Sequence, residues 1–287
     1  MKYNFVQTAL QKQLIMLTIL VNIVACTQPT SNSDDESETP TLRQLNDTGA
    51  RQYTQTFSQE DTEDPIVGTL LSDTPDTVLA PGQDADFGRD VTNNNATDGK
   101  LGFHFVKLDA NGIALTDQQA SYDTTPWSCV EDKVTGLIWE VKTLDDLQHR
   151  YNRYTWYQPD NYLNGGHVGF LGSTLICRST LTSCDTHEYI LAINALNNGS
   201  GLCGLKSWRL PTREELRSIV DYGSTSGLAI DTDFFPNTTP SDTWTSETSF
   251  VNQIDGIDAW EIHFDTGKSE QHSKGSTSVV VRLVYAP

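Results

Sequence analysis

Cysteine, histidine and carboxylate side chains carry whatever covalent or metal chemistry this 287-residue chain can do. The five cysteines are Cys26, Cys129, Cys177, Cys184 and Cys203, and no two form a C-x-x-C pair. That spacing disfavours a zinc ribbon or a thioredoxin-like redox site. Cys26 stands alone behind an apolar run, which leaves an even set of four that suits an oxidising compartment. Four cysteines allow three pairings. Cys177 and Cys184 are close enough to pin a short loop, leaving Cys129 to meet Cys203, so two disulfides are expected. The histidines His104, His149, His167, His187, His263 and His272 show no ligand spacing, and most are expected to be exposed. Neither G-x-S-x-G nor H-E-x-x-H occurs, so the common hydrolase and metalloprotease signatures are missing.

Carboxylates are so plentiful that any one pair is weak evidence for glycosidase chemistry. The densest group, Asp84, Asp86 and Asp90, has the hard-oxygen character that calcium prefers. It lacks the glycine and terminal glutamate of a dedicated calcium loop, so a solvated acidic turn is the plainer reading, with calcium as the alternative cofactor. Aromatic side chains offer binding rather than reaction. Trp156, Tyr157 and Tyr162 fall in an irregular stretch beside Asn161 and Asn164. An aromatic ring can stack on the apolar face of a pyranose while amides bond its hydroxyls, so these five are the candidate ligand contacts.

The elements that must position such groups are legible by pattern. "GFHFVKLDANGIAL" alternates around an "ANG" turn and reads as a hairpin. "VTGLIWEVKT" is a buried strand with Leu137, Trp139 and Val141 on one face. In "CDTHEYILAINALNNGSG" Asp185 and Glu188 have capping-box spacing, Tyr189, Ala192, Ile193 and Leu196 share a helical face, and a glycine stop follows. "WRLPTREELRSIVDYG" repeats the logic: Thr212 and Glu215 form a capping box, Pro211 staples against Leu216, Leu216, Ile219 and Val220 make the apolar stripe, and Gly223 ends the helix. "AWEIHFDTGKSEQ" puts Trp260, Ile262 and Phe264 on one strand face. "SVVVRLVY" sets Val279, Val281, Leu283 and Tyr285 against Val280, Arg282 and Val284. Strands, two helices, then strands imply an α+β fold. The longest irregular stretches, Leu144 to Arg178 and Ser224 to Asp258, are expected to gather into one polar face.

The N-terminal segments differ in kind. Residues 1–25 carry Lys2, Lys12 and an apolar run from Leu14 to Ala25, shorter than the roughly 17–25 residues that span a bilayer. They read as a signal peptide. Ile23, Val24 and Ala25 ahead of Cys26 resemble a bacterial lipobox, which implies lipidation of Cys26, and Thr27 after it favours the outer membrane. Residues 26–64 are polar and acidic and read as a disordered tether. Residues 65–80 read as an edge segment, and residues 81–287 as the folded domain. Loss of the leader removes two lysines and moves the formal charge from −19 to −21. So acidic a surface argues against nucleic acid and favours a neutral or cationic partner.

The ordered set "GQDADFGRD", "FVKLDANGIAL", "WSCVEDKVTGLIWEVKT", "YTWY", "GLCGLKSWRLPTREELRSIVDYG", "AIDTDFFPN", "TWTSE", "AWEIHFDTGK" and "VVRLV" resembles the Lcl C-terminal domain family of bacterial surface proteins. The resemblance implies a C-type-lectin-like fold, with two helices flanking small antiparallel sheets, and a role in adhesion or carbohydrate recognition. This chain departs from the naming member in having no collagen stalk and a strongly acidic balance, which sets sulfated glycans aside. The formylglycine-generating enzymes share an "RLPT"-type signature, so an oxidase is the rival reading. Their catalytic cysteines lie in the C-terminal core, and here no cysteine follows Cys203. The expectation is therefore a non-catalytic module on an outer-membrane lipoprotein, periplasmic or surface-exposed, that binds a glycan or a surface protein.

Overall fold

A computed structural model describes residues 53–59, 66–72, 88–93, 95–224, 227–251 and 255–287. Cys26, Asp84 and Asp86 lie outside these residues, as do the leader and most of the tether. Asp90 falls in a single helical turn, α1 (Arg89–Thr92), but its side chain is not among those described. Strands β1 (Tyr53–Gln59) and β2 (Ile66–Ser72) pair antiparallel with each other. β1 thus sits inside the stretch read as a tether. Its sequence, YTQTFSQ, is polar but rich in tyrosine, threonine and phenylalanine, which suit a pleated backbone. A reading by polarity passes over that preference.

The main body holds two antiparallel sheets, two helices and two disulfides, a disulfide-stapled α+β fold as expected. The first sheet runs in the order β3 (Phe105–Leu108), β4 (Cys129–Asp132), β5 (Ile138–Glu140), β9 (Val284–Tyr285). The second runs β6 (Asp242–Ser249), β7 (Asp258–His263), β8 (Ser269–Ser273). The "ANG" turn is built by Asp109, whose carboxylate accepts from the backbone N–H of Asn111 and Ile113 at 2.8 Å each. Its return arm contributes only a bridge, Leu108 to Ala114, so β3 finds its ladder partner in β4 instead.

Both helices start where their caps predict and stop earlier than their glycines suggest. Helix α2 (Thr186–Gly199) opens on Asp185, which accepts from Glu188 N–H, and buries Thr186, Tyr189 and Ile193. Glu188 does not complete the box; its carboxylate takes Thr182 Oγ1 instead. Helical geometry is already lost at Leu196, and Asn197 and Asn198 sit at φ 53° and 58°, a left-handed region that asparagine tolerates better than most residues. Helix α3 (Arg213–Arg217) has the full reciprocal box between Thr212 and Glu215, an arrangement whose cap alone contributes about 1 kcal/mol. It ends at Ser218, five residues before Gly223. The Ser218 hydroxyl donates to Glu215 O, and the chain tightens through Ile219 and Val220, so that Leu216, Ile219 and Val220 still reach the core.

Two apolar clusters make up the interior. One joins Phe105, Trp139, Val141, Leu216 and Phe235; the other joins Trp156, Tyr189, Trp208, Trp244 and Leu283. The C-terminal segment runs between them. Its alternation is as expected, with Val279, Val281 and Leu283 in the second cluster and Val284 in the first. Only Val284 and Tyr285 are strand, however. The preceding backbone bonds piecemeal to both sheets and to loops: Val279 O accepts from Tyr154 N–H, Val280 from Trp244 N–H, and Val284 exchanges two bonds with Arg209.

The disulfides pair Cys129 with Cys203 and Cys177 with Cys184, as the spacing suggested. The expectation of one polar face from two irregular stretches is corrected. Residues 242–249 of the second stretch are strand β6, because Trp244 supplies core and its neighbours supply a ladder. The earlier part turns away: Asp231 is buried and accepts from the Lys100 backbone N–H at 2.9 Å, with the Lys100 ammonium at 3.6 Å. The two stretches meet through buried and part-buried hydrogen bonds: Trp156 Nε1 donates to Thr245 O, Trp244 Nε1 to Tyr154 O and Thr248 Oγ1 to Asn164 O, with Gly256 close on Gly165.

Candidate functional site

The irregular stretch from Tyr154 to Phe170 is held from three sides. Thr186, at the start of α2, clips Tyr157 by accepting from its N–H at 2.9 Å and donating to its carbonyl at 3.0 Å. Asn164 organises the tip: its amide donates to Gln158 O, and its side-chain carbonyl accepts from Gly166 N–H at 2.9 Å. Lys274 fastens the base. Its ammonium donates to Asn164 O and His167 O, both at 2.8 Å, and to Thr248 Oγ1 at 3.0 Å, and lies 4.0 Å from the centre of the Trp156 ring. Burial pushes the Lys274 ammonium down to about 8, although the nearby Asp258 carboxylate pulls it up. The return of the chain at Gly169 requires glycine: φ is +88°, and a Cβ there would lie 2.0 Å from Trp156 O.

These contacts divide the five candidate ligand residues. Trp156 is 1 % exposed and its indole N–H is taken by Thr245 O at 2.9 Å. Asn164 is also 1 % exposed, and both of its amide groups are engaged within the loop. These two build the loop, and none of their polar atoms remains for a ligand. Tyr157 is partly buried, edge-on to His187, whereas Asn161 is exposed and Tyr162 is 97 % exposed.

A cleft of about 280 Å³ is lined by Tyr157, Leu163, Ile190 of α2, Leu210, Thr212 and Ser246. Arg209 lines it too, but its guanidinium is committed to a bidentate pair with Glu215, 2.7 Å on each arm. Burial would raise the Glu215 carboxyl; hydrogen bonds from Arg209 and Thr212 outweigh it and hold the group below its ordinary value. The cleft thus offers a ring, apolar walls and neutral hydroxyls, the furnishing of a binding site with little fixed charge.

Two further features went unread in the sequence. A cleft of about 360 Å³ lies between Trp127, Tyr122 and Phe234, with Lys107 packed 4.3 Å from the Trp127 ring centre. Burial lowers the Lys107 ammonium against the pull of Asp233, Asp231 and Asp117. The second feature is a carboxylate and histidine cluster across β6, β7 and β8. Asp242 stands opposite His263, and Glu261 opposite Glu270. Alternation places Asp242, Glu261, His263, Glu270 and His272 on one face. His272 Nδ1 is 2.7 Å from Glu261 Oε1 and 4.0 Å from Asp242 Oδ2, and His263 contacts both Asp242 and Asp265. The "EIH" spacing of Glu261 and His263 was the available signal; the third strand's register was not.

Neither a curated protein nor a solved structure matches the chain. Residues 128–285 match the Lcl C-terminal domain. The match takes in both helices, both disulfides and every strand of the two main sheets except β3, which docks on β4 from outside it. With more than half of its length inside that match, the chain belongs to the Lcl C-terminal domain family.

Proposed function

We propose that this protein is a non-catalytic binding module of the bacterial cell envelope, anchored by a lipid on Cys26, which recognises a carbohydrate or a surface protein in adhesion. The cleft walled by Tyr157 and Leu163, with exposed Tyr162 and Asn161 beside it, is the observation that carries the reading. A pyranose would stack on the Tyr157 ring and bond the hydroxyls of Thr212 and Ser246. The formal charge of −19 favours a neutral or cationic ligand over a sulfated one. Calcium is not needed for these contacts. Supporting a C-type-lectin-like frame, the last strand, β9, returns to the sheet that β3 and β4 begin; an experimental structure that failed to superpose on lectin-like domains would remove that part. Supporting a binding module over an oxidase, all four cysteines of the domain are paired, and Cys129, Cys184 and Cys203 are at most 1 % exposed.

A glycan array probed with the full chain, with and without chelator, is the test. Tyr157→Ala is expected to weaken binding about tenfold, which corresponds to about 1.4 kcal/mol, and Tyr162→Ala to weaken it without loss of stability. Normal binding by both variants would place the site elsewhere. The surface reading has a second favouring observation: Leu163, Leu171 and Leu175 are 61 %, 67 % and 90 % exposed, so a silent array with retained capture of an envelope protein would make the partner a protein. For the anchor, Cys26→Ser should abolish labelling by a palmitate analogue, and unchanged labelling would overturn lipidation.

A further inference from the structure

On the charged face of β6, β7 and β8, one buried carboxylate oxygen lacks a partner, next to a second, part-buried carboxylate. Glu261 has a side chain only 1 % exposed, and its Oε2 has no hydrogen-bond partner; beside it, the part-buried Asp242 carboxylate turns Oδ1 to His263 Nε2. Among the described residues, the cationic groups within 4.0 Å of either are His263 and His272. A buried carboxylate oxygen left without a hydrogen bond is costly, so Glu261, with Asp242 beside it, calls for a cation in the space they share.

The imidazoles are arranged to assist one. His263 turns Nδ1 to the Asp265 carboxylate and Nε2 to Asp242. Metal-bound histidines characteristically show this arrangement, in which one ring nitrogen is fixed by an outer carboxylate while the other presents its lone pair. In a neutral His263 that lone pair would face an anionic oxygen, which is tolerable only with a proton or a metal ion between them. His272 presents Nδ1 to the same space. One donor atom each from Asp242, Glu261 and His272 lie within 4.8 Å of one another.

We propose that Asp242, Glu261, His263 and His272 form a binding site for a divalent transition ion of the zinc class. Two imidazoles and two carboxylates suit four-coordinate zinc, whereas calcium takes six to eight oxygens. Donors about 2.1 Å from zinc are roughly 3.4 Å apart in a tetrahedron, so the wider separations must close by about 1 Å while the His272–Glu261 and His263–Asp242 pairs open. The histidines can supply that movement, because His263 and His272 are 28 % and 44 % exposed at the open rim while Glu261 is fixed below.

Calorimetric titration of the untagged full chain, stripped with chelator, with zinc chloride tests the site. One equivalent should bind, and His272→Ala and Glu261→Gln should each weaken it at least tenfold. His104→Ala, outside the cluster, should bind as the parent does. Near-ultraviolet circular dichroism checks the fold; His272 is exposed enough that its removal should leave the fold intact and carry the test by itself. No heat at millimolar zinc, parent affinity in folded His272→Ala, or equal affinity for calcium chloride would each overturn the proposal.

Discussion

Glu140→Ala is expected to destabilise the protein by about 3–5 kcal/mol, the cost of removing one partner from a buried ion pair. Glu140 is fully buried in β5 and faces two buried cations, Lys142 and Arg282. Its carboxylate accepts from Lys142 Nζ at 2.8 Å, from Leu283 N–H at 2.9 Å and from the Tyr189 hydroxyl, while its backbone carbonyl accepts from Arg282 Nη1 at 2.7 Å. The single carboxylate thus links β5, helix α2 and the C-terminal segment. Burial lowers the Lys142 ammonium, Glu140 opposes that shift, and Arg282 reinforces it. Burial also lowers the Arg282 guanidinium, to about 10, against the pull of Glu140. Without the carboxylate, two cations would face each other in a dry interior and Tyr189 would lose its acceptor. In a domain of this size, such a loss lowers the melting temperature by roughly 10 °C. Urea unfolding reads the effect directly. A variant as stable as the parent would mean that Lys142 sheds its proton or reaches water at small cost.

Loss of the long disulfide is expected to cost more than loss of the short one. Cys129 and Cys203 are 74 positions apart, Cys177 and Cys184 only 7. In the chain-entropy account the longer closure is worth about 4.5 kcal/mol and the shorter about 2.5 kcal/mol. Context widens the gap. Cys129 pairs with Glu140 in the sheet register and Cys203 shares the second core with Trp208, so the long bridge ties the sheet to the chain leading into α3. The short bridge closes a surface loop next to the cap of α2. Urea unfolding of Cys129→Ser/Cys203→Ser and Cys177→Ser/Cys184→Ser double variants compares them. Equal losses would show that unfolded-state closure is not the dominant contribution.

The chain states its local structure openly because local structure depends on neighbours in sequence. Asp185 and Thr212 sit three residues ahead of the groups they cap, and Leu137, Trp139 and Val141 alternate along one strand; these relations hold wherever the segment is placed. The parity of the domain cysteines and the close spacing of two of them likewise pointed to the pairing found. Helix ends were less legible. Gly223 is a competent stop, but α3 breaks at Ser218 so that Ile219 and Val220 can turn into the core, a requirement set by packing.

What each exposed-looking residue would meet was decided only by tertiary structure. "YTWY" is equally compatible with a sugar platform and a buried girder. Lys274, far along the chain, places its ammonium on the Trp156 ring and makes the tryptophan structural, leaving Tyr157 at the cleft. Glu140 and Lys142 alternate with core residues as solvent-facing residues would, yet α2 and the C-terminal segment cover their face. The histidines follow the same logic. His263 and His272 have no ligand spacing along the chain, because the relevant spacing runs across strands: register sets Asp242 opposite His263 and places His272 diagonal to Glu261. Periodicity fixes which side of a strand a residue takes, but long-range pairing alone fixes its neighbours there.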